Sequence, residues 1–127
     1  MQVNPDIQRG VALFNRQSFF EAHEVLEDVW RAAPQGAPSR RHLQGLVQVA
    51  GAFHHQSKGN AAGAASVMAR ALRNLAGAET TLPELDLAGL RREIEVWIHF
   101  LDERRSADAT NNTSIQQIRL PSIVYSR

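Results

Sequence analysis

The stretch Phe19-Phe20-Glu21-Ala22-His23-Glu24-Val25-Leu26-Glu27-Asp28-Val29-Trp30 puts an imidazole and several carboxylates within helical reach of one another. On a helix, Phe20, His23, Glu24, Glu27 and Trp30 form one line beside an apolar line of Ala22, Leu26 and Val29. Phe20, Leu26, Val29 and Trp30 are expected to be buried. A carboxylate beside buried apolar groups has to be paired, ligated or protonated. A second polar line follows later in the chain: Gln44, Gln48, Gly51 and His55, at i, i+4, i+7 and i+11. Two neighbouring helices would let these lines meet. The meeting point is a candidate polar site of His23, Glu24, Glu27, Trp30, Gln44, Gln48 and His55, with Gly45 and Gly51 permitting close approach.

Three chemistries suit such a site. Glu24, Glu27 and His23 or His55 offer oxygen and imidazole ligands for a divalent metal such as zinc, iron or manganese. The chain has Glu24-x-x-Glu27 but lacks the Glu-x-x-His pairs of helical di-metal bundles and the His-Glu-x-x-His zinc motif. General acid–base catalysis is the second, with Glu24, Glu27 and His55 in proton transfer. No nucleophile, phosphate loop or cofactor motif accompanies them. The third is structural: Glu24 or Glu27 accepts hydrogen bonds from His23, His55, Gln44, Gln48 or the Trp30 indole and fixes helix register. The residue types favour the structural reading. A metal-binding or acid–base enzyme is the alternative.

Helices must position these residues, because the apolar pattern has helical rather than strand periodicity. The first starts after Asn4, with Pro5 in its first turn. Ser18 and Glu21 form a capping box for the second, which runs to about Ala32. Pro34, Gly36 and Pro38 then break the chain. Ser39 caps a third helix over 39–57, and Lys58-Gly59-Asn60 is a tight turn with Gly59 left-handed. A fourth, alanine-rich helix covers 60–76. The fifth starts at Pro83 and runs to about 104.

Gly10, Leu13, Ala22, Leu26, Val29 and Pro34 fall at the spacings of a tetratricopeptide repeat. Ala52, His55, Gly59, Ala64, Met68 and Ala71 echo them weakly about 42 residues on. The fold expected is all-α: a compact bundle of about five helices, made of two tetratricopeptide-like hairpins and a C-terminal helix. Residues 1–105 form one domain. Residues 106–127 form a polar linker, Ser106 to Ser114, and an extended tail with Ile118, Leu120, Ile123 and Val124 around Pro121. The tail is too apolar for a solvated end. It is expected to pack on its own subunit or on a partner.

The chain has 127 residues, 43% hydrophobic and 21% charged, with a net charge of +1. That balance gives no field to hold nucleic acid. The pairs Arg40-Arg41, Arg91-Arg92 and Arg104-Arg105 read as solvated surface, as does His42. His54 reads as half-buried packing, His99 as outward, and Trp97 and Phe100 as core or interface. Cysteine is absent, which excludes disulfides and thiolate chemistry. No secretion signal or membrane span is evident, so a cytoplasmic location is expected.

Phe14-Asn15, Phe19 to Trp30, Leu43 to Ala50, His55, Gly59-Asn60 and Gly63-Ala64 together resemble the signatures of the domain-of-unknown-function family 309. The likeness is close over residues 5–76 and looser beyond. It implies a small all-helical bundle and no particular reaction. The function expected is binding or scaffolding, through self-association or a peptide or protein partner.

Overall fold

Helix starts and stops follow local chemistry along most of the chain. Asn4 accepts a hydrogen bond from the Asp6 N–H at 2.8 Å, and Pro5 opens the first helix where its missing donor costs nothing. The computed structural model describes residues 4–106 and 118–126. In it α1 (Pro5–Asn15), α2 (Phe19–Ala32), α3 (Pro38–Ser57) and α4 (Ala61–Leu75) are followed by a 3-10 turn (Ala78–Thr80) and α5 (Leu87–Ser106). The described residues therefore form an all-α bundle of five helices. The expected linker lies, after Ser106, outside the described residues.

The same turn closes α1 and α3. Ser18 N–H reaches back to the Leu13 carbonyl and Gln17 N–H to Phe14; Asn60 N–H reaches His55 and Gly59 N–H reaches Gln56. The left-handed position is Gln17 (φ 67°) in the first turn and Gly59 (φ 80°) in the second. Glycine adopts that conformation freely, whereas glutamine holds it against its own Cβ. Asn60 then caps α4 by accepting from Gly63 N–H at 3.0 Å.

Three expected starts differ. Ser18 makes no capping bond, so the capping box does not form. Helix α3 begins at Pro38, not after Ser39, because proline's fixed φ starts the helix one residue early. Helix α5 begins at Leu87, not Pro83. A turn at Pro83-Glu84 instead leads to Leu85, which bridges to Tyr125 of the C-terminal tail, and Asp86 accepts from Gly89 N–H at 3.0 Å.

The core is one cluster that draws on every helix, with Val11, Phe14, Leu26, Leu46, Phe53, Met68, Leu75 and Ile94 sealed from solvent. Each such side chain contributes about 1.5–3 kcal/mol by burial. Phe14, Phe19, Phe53 and Trp97 meet largely edge to face with ring centres 5.1–6.0 Å apart, joining α1, α2, α3 and α5 at one end. Helices α3 and α4 approach closely at Gly45, where a Cβ would lie 2.8 Å from Leu75 Cγ.

The start of α3 lies beside the ends of both its neighbours. Arg40 Nη1 donates to the Trp30 carbonyl at 3.0 Å and to Ala33 at 2.6 Å, closing α2, and its guanidinium lies 5.1 Å from the Trp30 ring centre. Arg41 donates to the Ala76 carbonyl at 2.8 Å and to Arg73 at 3.3 Å, closing α4. This pair is not mere solvated surface: free carbonyls at a helix end attract cations. His42 is buried rather than on the surface. Its Nε2 faces the Ala76 carbonyl at 3.1 Å and its Nδ1 the Thr81 hydroxyl. A carbonyl only accepts, so Nε2 carries the proton toward it. An apolar pattern cannot flag a histidine that is buried by hydrogen bonding.

The tail returns along the bundle in extended form. Asn15 Nδ2 donates to the Ile123 carbonyl at 2.9 Å, and Ile123 N–H donates to Asn15 Oδ1 at 2.8 Å. Asp86 N–H donates to the Val124 carbonyl and Ser126 N–H to the Glu84 carbonyl, both at 2.7 Å, around an antiparallel Leu85–Tyr125 bridge. Trp97 Nε1 donates to the Arg119 carbonyl at 3.1 Å. Ile123 is 2% exposed and joins the core. The tail thus packs on its own subunit.

Glu93 lines the groove between α5 and the tail, with Asp86, Val96 and Val124. Burial raises its pKa above 4.5; Arg119 opposes the rise and Asp86 adds to it. A carboxyl raised on folding binds its proton more readily in the folded state. Its contribution is full below the ordinary carboxylate value and is lost as pH rises through the raised one. Glu93→Gln is expected to have the higher Tm at neutral pH, with the difference shrinking as pH falls below 4.5, read by calorimetry. His42→Ala leaves the Thr81 hydroxyl without its imidazole partner and the Ala76 carbonyl with Arg41 alone. It is expected to lower unfolding free energy in urea by about 1–2 kcal/mol.

Candidate functional site

Helix α2 buries Phe19, Ala22, Val25 and Leu26, and its polar residues divide between two flanks. On the flank toward α1, Glu21, Glu24 and Asp28 line a groove with Asp6, Arg9 and Leu13. Glu24 is exposed there. On the flank toward α3 stand Phe20, His23, Glu27 and Trp30. Glu27 is half-buried and pairs with Arg31 within its own helix at 3.4 Å.

His23 lies over Gly51 of α3: a Cβ on that glycine would be 3.3 Å from the imidazole Cδ2. Gly51 therefore admits the ring, as its place in the second polar line suggests. Phe20 is 52% exposed rather than buried, and its ring centre is 5.3 Å from that of half-buried His54. Position 20 falls at the edge of α2, where the α3 surface ends in an imidazole instead of an apolar pocket.

The second line turns toward α4 instead. Gln48 Oε1 accepts from Asn74 Nδ2 at 2.8 Å, tying α3 to α4. His55 Nδ1 is 3.3 Å from Asn60 Nδ2 at the α3–α4 turn. Gln44 is half-buried, and Trp30 lies under the Arg40 guanidinium. His23, Glu24 and Gln44 have no hydrogen-bond partner among the described residues. Nor do three or more His, Asp or Glu among those residues stand close enough to hold a metal ion. What the fold assembles is a strip along the α2–α3 seam, with Phe20, His23 and His54 at one end, Trp30 and Arg40 at the other, and the acidic α1–α2 groove alongside.

A separate cleft opens between the aromatic end of the bundle and the tail. It is lined by Gln17, Phe19, Phe53, Trp97, Arg119 and Leu120 among others, and holds about 750 Å³. Its walls come from four parts of the chain, so no local motif announces it. Asn15 stands in the quoted signature, but its role as a clamp has no local sign beyond an apolar tail whose backbone needs partners.

Residues 7–67 match the family described as Domain of unknown function (DUF309). The DUF309 match runs from α1 into α4 and includes the α2–α3 seam; α5 and the tail lie beyond it. The chain is similar to "Uncharacterized protein YpuF" of Bacillus subtilis (strain 168), 34% identical over 71 residues, which is 56% of this chain and 40% of that protein. It is also similar to an "Uncharacterized protein" of Aquifex aeolicus (strain VF5), 29% identical over 82 residues, 65% of this chain and 24% of the relative. The chain spans less than half the length of either of these relatives. No helix among the described residues is long and apolar enough to cross a membrane.

The contacts separate structural polar residues from free ones. A double-mutant cycle of Gln48→Ala and Asn74→Ala is expected to show a coupling of about 1 kcal/mol in urea unfolding. Glu24→Gln is expected to change stability by less than about 0.5 kcal/mol, as at other exposed positions. Zero coupling, or a large Glu24 effect, would reverse these assignments.

Proposed function

We propose that this chain is a DUF309 protein that acts as a helical binding module, with the α2–α3 seam as its binding face. The observation that carries this reading is Phe20, a large apolar ring left 52% exposed against His54 on an otherwise well-filled bundle. An exposed aromatic ring ringed by polar groups has the make-up of an interface hot spot. Half-buried His23 and Gln44 nearby keep their hydrogen-bonding groups available. Glu21, Glu24, Glu27 and Asp28 make the surroundings acidic, so the partner is a protein or peptide that brings cationic groups around an apolar side chain. We read the α1–α2 and α3–α4 pairs as tetratricopeptide-like hairpins, and the cytoplasm as the place of action, which the lack of cysteine supports. The metal and acid–base alternative, through Glu24, Glu27, His23 and His55, draws no support from side chains that face separate neighbours.

The test is photo-crosslinking in cells from a reactive residue placed at Glu27, on the flank of α2 toward α3, with the exposed α5 position Glu95 as control. Position 27 is expected to capture a partner that position 95 does not, and Phe20→Ser is expected to abolish the adduct with little loss of Tm. Adducts that are equal at both positions, or that survive Phe20→Ser, would remove the seam from function.

A further inference from the structure

The cleft at the aromatic end of the bundle has the make-up of a small-molecule site. Buried Phe19, Phe53 and Trp97 line it, and half-buried Ile118 and Leu120 of the tail add apolar surface. Its volume of about 750 Å³ falls in the range of ligand pockets, about 300–1,000 Å³. Gln17, Gln56 and Arg119 line the same space. None of these three side chains makes a hydrogen bond among the described residues. Arg119 alone is charged among the described residues that line the cleft. Its charge acts on Glu93, yet the two form no ion pair. Donors without partners beside an apolar surface suit a ligand that is apolar at one end and anionic at the other.

Gln17 supplies an independent observation. It holds the left-handed position (φ 67°) of the turn that closes α1, where the matching turn after α3 uses Gly59. Glycine would hold this turn without strain. The chain instead carries a strained residue whose side chain lines the cleft. Backbone strain of this kind gathers where a side chain is needed for binding.

We propose that this cleft binds a small aromatic carboxylate. The flat body lies against the apolar lining, and the carboxylate accepts from Arg119 and the Gln17 carboxamide. The proposal does not rest on the α2–α3 seam, and the two tryptophans keep the readings apart: Trp30 stands in the seam and Trp97 lines the cleft.

The test titrates the full chain with cinnamate and follows the two indole N–H signals by NMR, assigned with Trp30→Phe. The Trp97 signal is expected to shift and saturate, because its indole donates to the Arg119 carbonyl at the cleft, while the Trp30 signal stays in place. Arg119→Gln is expected to weaken binding about tenfold through loss of a charge-assisted hydrogen bond. Neutral cinnamamide is expected to bind more weakly than cinnamate. Gln17→Gly is expected to weaken binding severalfold while Tm rises, which separates a lost contact from a damaged fold. Four results would each overturn the proposal: no saturable shift at Trp97, a shift at Trp30 alone, equal binding of cinnamamide, or unchanged affinity in Arg119→Gln or Gln17→Gly.

Discussion

The bundle depends on what the first turn of α3 does for the helices on either side of it. A helix ends in carbonyls without partners, and two helices, α2 and α4, end beside this turn. Arg40 takes the carbonyls of one and Arg41 those of the other, while His42 ties the Ala76 carbonyl to Thr81 in the following loop. Three consecutive residues therefore set where both neighbours stop. With those ends fixed, Gly45 can sit against Leu75 and the α3–α4 contact closes without a gap. The loop that His42 holds leads directly to residues 84–86, the edge on which the tail is laid.

The same geometry explains why the polar residues of α2 and α3 do not form one centre. Helix α3 is flanked on both sides, so its polar line is shared. Gln48 serves α4 and His55 serves the turn, while His23 enters over Gly51 from α2. Glu24 sits on the far flank of α2, beside α1. A side chain there faces water. The seam is left with an exposed aromatic ring, two imidazoles and an acidic border, which suits recognition of a partner.

Much of the fold was legible from local rules. Pro5, Pro34, Gly36, Pro38 and Gly59 punctuate the helices, and the apolar periodicity of α1 to α5 gives their inner faces. The echo at 42 residues corresponds to a recurring turn, with Gln17 and Gly59 in the same left-handed role. The candidate site was legible only in part. His23 and Gly51 do meet, but Phe20 is exposed, and Gln48 and His55 look toward α4. Helical periodicity gives the angle of a residue around its own axis. It does not say which neighbour occupies that angle.

The helices, the turns between them and the apolar character of the tail follow from local chemistry, because they depend on groups a few residues apart. The burial of His42, the capping of two helices by Arg40 and Arg41, the start of α5 and the Asn15 clamp came only with packing. Each joins groups distant in the chain. Asn15 and Ile123 lie 108 positions apart, and nothing local to either residue indicates the other. Hydrogen bonds of that span arise only once the core has fixed both ends.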